Sequence, residues 1–317
     1  MNESVKKSDA AGNNIDIKQR LELYKKQKAR RSRLTFFLFI LPALLFFVNV
    51  VIVPFISGII YSFTNWDGFS FAGSKFIGLE NYVAAFTDDS FIPSFLFSFK
   101  YALAMLILVN LIGFSLALLV SSKIKTRNVL RSIYFMPNMI GGLILGFIWQ
   151  FIFSKLFVQV GEVLSAEGAF FNWIVDERMA FWSLVIVGVW QQAGYAMIIY
   201  IAGLQSISDD VKEASQIDGA SWSRQLRHIL LPLMVPSFTI NMFLTLSKAL
   251  KEYDINLALT NGGPYGTTEM VAMNVFQTAY RYNDFAEAQA KAVLFFLVIM
   301  VITLLQVNLT SRKEVSA

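Results

Sequence analysis

The sequence predicts an all-helical membrane domain with six transmembrane spans. Of its 317 residues, 56% are hydrophobic and only 15% are charged, which is less charge than the surface of a soluble domain requires. The hydrophobic residues are gathered into uncharged runs long enough to cross about 30 Å of hydrocarbon. We expect helices in these runs, because lipid offers no hydrogen-bond partners to an open backbone. The six runs cover residues 34–66, 101–122, 132–154, 179–208, 229–247 and 292–311.

Lysine and arginine residues are distributed unevenly between the connecting segments. Ten of the 27 precede the first span, and further clusters follow the second and fourth spans. Cytoplasmic loops carry this excess of positive charge, so both termini are expected in the cytoplasm, in a multi-pass protein of the cell membrane. We divide the chain into a basic cytoplasmic arm over residues 1–33, a transmembrane domain over 34–311 and a cytoplasmic tail over 312–317. The arm is expected to lie along anionic lipid, with a specific partner as the alternative.

The sequence lacks the residues that several classes of site require. It contains no cysteine and a single histidine, His228, so neither a disulfide framework nor a metal cluster is expected. No Gly-Lys pair occurs, although the phosphate loop of a transport ATPase requires one. The net charge of +5 lies mainly beside the spans, which favours a membrane surface over nucleic acid. We therefore predict a chain that is not an enzyme and holds no metal or cofactor, with His228 solvated at the membrane edge.

The segment between the fourth and fifth spans, residues 206–232, has the pattern of a helix, a break and a second helix. Ser208 can cap the first helix, with Asp209 and Asp210 at the positive end of its dipole. Gly219 can end that helix in a left-handed conformation, and a second helix from about Ser221 would lead into the membrane. Such an element, joined rigidly to a membrane helix, suits docking to a cytosolic partner. We call residues 206–232 the coupling loop.

The coupling loop resembles the signature of the binding-protein-dependent ABC importer permeases. The family pattern is Glu-Ala-Ala, three residues, Gly, nine residues and Ile-x-Leu-Pro, and this chain departs from it only at Ser215. The resemblance implies a type I permease fold of six helices, with a cytoplasmic coupling helix that inserts into a separate ATPase subunit. The alternative is an ordinary amphipathic interfacial loop. The residues to which the resemblance assigns ATPase coupling are Glu213, Ala214, Ser215, Asp218, Gly219, Ile229, Leu231 and Pro232.

Three further segments are similar to the sugar permeases of the maltose-transporter type, namely residues 61–66, 76–82 and 259–269. Gly262, Gly263 and Pro264 lie in the third, and predict a structured outer loop or a re-entrant turn. The resemblance implies a homologous second permease, two ATPase subunits that bind ATP and Mg²⁺, and an extracytoplasmic sugar-binding protein. Nucleic acid is not an expected partner.

Polar side chains recur along one face of the fourth and the fifth spans. Polar residues in a span normally turn away from lipid, so these two stripes predict a hydrated substrate path. Trp190 and Tyr200 are expected to add aromatic surface. Resemblance to the maltose permease places the same two regions around the sugar. The residues of the two stripes are Gln191, Gln192, Tyr195, Asn241, Thr245, Lys248 and Glu252.

Lys248 leaves two interpretations open. It can pair with Glu252 four residues later and bind nothing, or it can face the cavity unpaired and favour an acidic sugar. Gly142 and Gly146 form a pair that can admit a close helix, although such pairs also arise by chance.

Other kinds of transport protein fit the sequence less well. An ion-coupled secondary transporter would need carboxylates at the membrane centre or broken helices in two repeated halves, and neither is evident. A membrane-embedded enzyme lacks a catalytic constellation. An ABC importer permease for a solute other than sugar remains an alternative function.

Overall fold

The computed structural model of the protein describes residues 24, 25, 28, 31, 32, 35–70, 73–122, 125–166 and 168–311. Most of the predicted basic arm and the whole predicted tail therefore lie outside the described residues. Over the rest the chain is helical, and we number its principal helices in chain order. They are α1 Thr35–Tyr61, α2 Glu80–Thr87, α3 Phe91–Ser121, α4 Arg127–Phe135, α5 Gly142–Leu164, α6 Glu177–Ser206, α7 Asp209–Ile217, α8 Trp222–Leu233, α9 Val235–Leu250, α10 Asp254–Leu259, α11 Val271–Tyr280 and α12 Phe285–Ser311.

The described residues include five single helices long and apolar enough to cross a bilayer: α1, α3, α5, α6 and α12. A sixth span results if α8 and α9 are counted together, since they are bent by 67° at a short break. Pro232 and Pro236 flank that break and remove backbone donors on either side of Met234. The all-helical fold class predicted from the apolar runs is thereby confirmed.

Several spans begin at other residues than the uncharged runs suggested. The second begins at Phe91 rather than at 101, and the last at Phe285 rather than at 292, because helices continue through Lys100 and Lys291. The third shifts to Gly142–Leu164, since Pro137 and a 3₁₀ turn separate α4 from α5. A lone lysine ends an uncharged run without ending a helix, because its side chain can find a partner.

The described residues up to 60 and those from 61 to 311 form two compact units. In the first, α1 contains a π-helical turn at Val48–Ile52, just before Pro54. In the second, α3 packs along α6 and is also crossed by α9. Tyr101 and Met105 of α3 and Leu184 of α6 are fully buried in its core.

Helix α5 packs closely on the short helix α10 through its two glycines. A Cβ on Gly142 would lie 2.7 Å from the Asp254 Cβ, and one on Gly146 would lie 2.5 Å from the Ala258 Cβ. Both distances are too short for a side chain without a shift of one helix. The glycine pair therefore lets α5 and α10 approach each other closely, as its spacing allowed.

One buried cation joins the elements at the end of the domain opposite to the coupling loop. Lys291 of α12 forms ion pairs with Asp88, just before α3, and with Glu287 of α12. Its ammonium also donates to the Thr278 hydroxyl on α11 at 2.9 Å. Three helices are thus linked through a single side chain.

Candidate coupling loop and solute cavity

The coupling loop folds as the predicted helix, break and helix. Gly219 has a φ of 73°, in the left-handed region that glycine occupies without strain. The Gly219 amide donates to the Gln216 carbonyl and the Ala220 amide donates to the Ser215 carbonyl, each at 3.0 Å. These two bonds form a Schellman motif, which satisfies the last carbonyls of α7. The second helix, α8, begins at Trp222, directly after Ser221, near which the sequence predicted its start.

A hydrogen-bonded face of α7 joins it to α8. Ser215 is buried, and its hydroxyl donates to the Lys212 carbonyl at 2.7 Å. The same hydroxyl accepts from the Gln225 amide of α8 at 2.9 Å, and that amide also reaches the Lys212 carbonyl at 3.3 Å. The one position that departs from the family signature therefore supplies a polar link between the two helices of the loop.

The opposite face of α7 is turned outward. Glu213, Ala214, Asp218 and Gly219 are exposed. Ile217 has 85% of its surface exposed, which is unusual for a large apolar side chain on a rigid helix. Of the remaining signature residues, Ile229, Leu231 and Pro232 are half-buried where α8 leads into the span. We call α7 together with Asp218 and Gly219 the stub. Its exposed face combines apolar and acidic residues, which suits docking to a partner.

Two expectations for the coupling loop need comment. Ser208 stands at the N-cap position of α7, but its side chain makes no capping bond, so the first turn relies on the charges of Asp209 and Asp210. His228 is exposed, and its ring nitrogen contacts the Arg224 carbonyl at 3.2 Å within the same helix.

A polar cavity of about 240 Å³ lies between α6 and α9. Members of both predicted stripes meet in it, because the two helices pack with these faces toward each other. The Gln192 amide nitrogen is buried without a hydrogen-bond partner. The side chains that line the cavity carry amide, phenol, hydroxyl and ammonium groups, which are the groups that hold a solute rich in hydroxyls. The predicted residues that line it are Gln192, Tyr195, Asn241, Thr245 and Lys248.

Gln191 lies behind the cavity and not in its wall. Its amide donates to the Ile140 carbonyl at 3.0 Å, and its amide oxygen accepts from the Lys248 ammonium at 3.1 Å. No ion pair joins Lys248 to Glu252 among the residues that the structure describes. Lys248 lines the cavity, and Glu252 still acts on its charge electrostatically, so the structure leaves both interpretations of Lys248 open.

Glu252 lies outside the stripe to which its spacing assigned it. Helix α9 ends at Leu250, so helical periodicity does not extend to the eleventh residue after Asn241. The Glu252 carboxylate accepts from the Ile255 amide at 3.0 Å and so holds the start of α10. Burial raises the pKa of this carboxyl above its usual range.

The aromatic surface of the cavity differs from the expectation. Trp190 faces an apolar groove, and Tyr200 is fully buried, with its hydroxyl donating to Asn110 at 2.6 Å. Asn138, which sequence reasoning missed, joins the cavity from the 3₁₀ turn between α4 and α5. The Pro137–Asn138 pair within an apolar run was the signal for an interrupted helix at this point.

The segment with Gly262, Gly263 and Pro264 is a structured loop at the end of α9 away from the coupling loop. Gly262 has a φ of 77°. The Thr268 hydroxyl donates to the Gly263 carbonyl at 2.6 Å. The buried Asn256 amide donates to the Thr268 carbonyl at 2.8 Å and accepts from the Met270 amide at 3.1 Å. These bonds fix the loop on α10, as the predicted structured loop required.

Comparisons with known proteins agree with this architecture. The family model described as the binding-protein-dependent transport system inner membrane component matches residues 109–315. The chain is 45% identical over 291 residues to a probable starch degradation products transport system permease protein of Thermoanaerobacterium thermosulfurigenes, with 92% of this chain and 99% of that protein covered. It is 29% identical to a multiple sugar-binding transport system permease protein of Streptococcus mutans, with 87% of this chain and 95% of that protein covered.

Among solved structures, the chain is similar to a chain of the bacterial alginate ABC transporter in complex with an alginate pentasaccharide-bound periplasmic protein. The TM-score is 0.78 at 18% identity, with 90% of this chain and 96% of that chain covered. At this identity the likeness shows the fold, which is that of an ABC importer permease. The fold, the family match and the near-complete overlap with a relative at 45% identity lead to one conclusion: this chain belongs to the family of binding-protein-dependent transport system inner membrane components.

Proposed function

We propose that this chain is the permease subunit of an ABC importer that carries a carbohydrate across the bacterial cell membrane. The coupling loop is the observation that carries the proposal. It is a rigid stub that presents Glu213, Ile217 and Gly219 outward, and the family signature lies on it. On this proposal the ATP and Mg²⁺ are bound by a separate ATPase subunit, and both ends of the spanning domain face the cytoplasm.

The chemistry of the cavity supports a carbohydrate as the solute. Gln192, Tyr195 and Lys248 offer donors and an aromatic face to sugar hydroxyls. Both curated relatives described above are named for transport of sugars or starch degradation products. Fragments of starch are therefore the first solutes to test.

The proposed assembly contains three kinds of partner. A homologous second permease is proposed from the family to which the chain belongs. Two ATPase subunits would bind the two coupling loops, one on this chain and one on the second permease. An extracytoplasmic binding protein would deliver the sugar. The solved neighbour supports the last of these, since its transporter is in complex with a periplasmic protein that holds an alginate pentasaccharide.

In the proposed mechanism this chain transmits motion rather than supplying energy. Closure of the ATPase subunits would displace α7, and the link between Ser215 and Gln225 would carry that displacement into α8. The 67° bend between α8 and α9 then lies between the stub and the cavity wall. Movement at the bend would change the opening of the cavity that Asn241, Thr245 and Lys248 line.

The proposal is tested with Glu213→Lys, which reverses an exposed charge on the stub. We expect ATPase co-purification to fall at least tenfold and ATP-driven uptake of maltotriose into proteoliposomes to fall in parallel, because a like charge at a docking surface costs several kcal/mol. Glu80→Lys, on the exposed first turn of α2, is the matched control and should leave both unchanged. Retention of the ATPase by Glu213→Lys, or uptake by the purified chain alone, would reject the function.

A second solute class is favoured by one observation. Lys248 lines the cavity and forms no ion pair within 4 Å among the described residues, so an anionic sugar would compete with the more distant Glu252 for the ammonium charge. Lys248→Met separates the two candidates. We expect it to lower uptake of an anionic sugar about tenfold if that sugar is the substrate, and to lower maltotriose uptake only a few-fold if the ammonium binds hydroxyl groups.

A further inference from the structure

A basic pocket of about 460 Å³ lies where α4 meets the coupling loop, and the transport mechanism proposed above assigns no ligand to it. It is formed by the end of α3, by α4, by the end of α6 and by α7 and α8. Arg127, Arg131 and Lys212 line it. Of the described residues in its wall, Asp209 is the one carboxylate.

The positive charge in this pocket is not compensated within the described part of the chain. Arg127 and Arg131 lie four residues apart on α4 and so share a face. Neither makes a hydrogen bond or an ion pair with a described residue, and the Arg131 Nε atom is buried without an acceptor. Asp209 is bound to Lys212 at 3.0 Å. Arg127 is exposed and Arg131 is half-buried, and an anion with several oxygens would supply the acceptor that the buried Nε atom of Arg131 lacks.

The start of α4 adds to this positive field. The helix begins at Arg127 and has no acidic residue in its first turn. Helix N-termini carry a partial positive charge, so a cation there is unfavourable unless an anion is bound nearby.

An apolar groove of about 640 Å³ lies between the same three helices, α3, α4 and α6. On α3 it is lined by Leu108, Ile112 and Leu116, which repeat every four residues and cover about 12 Å of helix. On α6, Ala193 lines the groove and Leu204, eleven residues further along on the same face, lines the basic pocket. The basic pocket and the apolar groove thus follow each other along α6, in the order of a charged head and a hydrocarbon tail.

Helix α4 also has the character of an interfacial helix. Val129 and Ile133 are exposed on the same short helix that carries Arg127 and Arg131. A basic helix with exposed apolar residues lies in the plane of the membrane surface, at the depth of the lipid headgroups. The nearby ends of α3 at Ser121 and of α6 at Ser206 agree with that depth.

We propose that the pocket and the groove together bind one anionic phospholipid, with its phosphate on Arg127, Arg131 and Lys212 and an acyl chain in the groove. The ligand would connect α4 to α7, and so hold the coupling loop against the membrane surface. The inference rests on the proposed function only for its orientation, which places the pocket in the cytoplasmic leaflet, where anionic lipids attract basic residues.

The test measures the lipid retained by the assembled transporter. The complex of this chain with its ATPase and second permease is assembled in nanodiscs that contain equal amounts of phosphatidylglycerol and phosphatidylcholine, and is then released from them. Native mass spectrometry measures the ratio of the two lipids that remain bound. We expect Arg127→Gln with Arg131→Gln to reduce the preference for phosphatidylglycerol about thirtyfold, or about 2 kcal/mol. Arg224→Gln with Arg227→Gln removes two exposed charges of α8 outside the pocket, and should retain the preference.

The other outcomes each overturn the proposal. Equal retention of both lipids by the wild type would show that charge does not select the ligand. Displacement of phosphatidylglycerol by millimolar inorganic phosphate would identify a free anion as the ligand. A pocket that retains no lipid in the complex would be filled by another subunit. Because retention needs neither ATP nor solute, a complex that keeps phosphatidylglycerol but fails in uptake would reject the proposed function alone.

Discussion

Replacement of Lys291 tests how the helices at the end of the domain away from the coupling loop are held together. The side chain is 1% exposed, yet it carries a charge that links Asp88, Thr278 and Glu287. Lys291→Met keeps the length of the side chain and removes only the ammonium group. The apolar packing of α12 is thereby preserved, and the measured effect reports the charge.

The expected magnitude follows from the exposure of the carboxylates left behind. Removing one partner of a fully buried pair costs about 3–5 kcal/mol, because the remaining charge is left unpaired. Here the side chains of Asp88 and Glu287 keep 26% and 19% of their surface exposed, so water reaches both in part. We therefore expect a loss of about 2–3 kcal/mol, which corresponds to a fall of roughly 5 °C in the melting temperature.

The assay is thermal unfolding of the purified protein in detergent, followed by tryptophan fluorescence. Adding Asp88→Asn to Lys291→Met removes one unpaired carboxylate, and should recover about 1 kcal/mol of the loss. Lys75→Met, at an exposed lysine, is the matched control and should melt with the wild type. A Lys291→Met protein that melts within a degree of the wild type would refute the reasoning, as would a double variant less stable than the single one.

The same pair predicts a dependence on pH. Burial of Asp88 opposes its ionisation, but hydrogen bonds from Lys291 and Ser90 outweigh burial and hold the pKa of this carboxyl below its usual value. A lowered pKa in the folded state stabilises the protein above the unfolded pKa of about 3.9, and this contribution is lost as the pH falls through the folded value. Acid below about pH 4 should therefore lower the melting temperature of the wild type more than that of Asp88→Asn.

Two further substitutions test the coupling loop and the close helix packing. Ser215→Ala removes an acceptor of the Gln225 side-chain amide, so we expect local opening of the loop to become easier by about 1 kcal/mol. Hydrogen exchange of the backbone amides in the loop should then be about fivefold faster, with no change elsewhere. Unchanged exchange would show that the hydrogen bond does not stabilise the loop. Gly146→Ala places a Cβ 2.5 Å from that of Ala258 and should lower the free energy of unfolding by about 1–3 kcal/mol. Gly141→Ala is the control, since it has open space around it and should leave the stability nearly unchanged. Equal melting temperatures of the two variants would contradict the close packing of α5 on α10.

Much of the fold and of the coupling loop could be predicted from the sequence because the signals are local. An uncharged run long enough to span hydrocarbon forms a helix whatever its neighbours are, and a glycine after a capped helix provides its left-handed end. Gly219 accordingly adopts the predicted conformation, and α8 begins where the second helix of the loop was expected. The exact ends of the spans were less predictable, since whether a lysine such as Lys291 ends a helix depends on partners distant in sequence.

The sequence by itself determined the class of this protein, the number of its spans and the face of α6 and α9 that is polar, because each depends on the order of residues along one helix. Only the tertiary structure decided which polar residues meet. It placed Gln191 behind the cavity, removed Glu252 from the stripe because α9 ends two residues earlier, and put the Lys248 ammonium within hydrogen-bond distance of Gln191. Helical periodicity fixes direction within a helix, whereas the partner of a side chain depends on where the helix ends and on what packs against it.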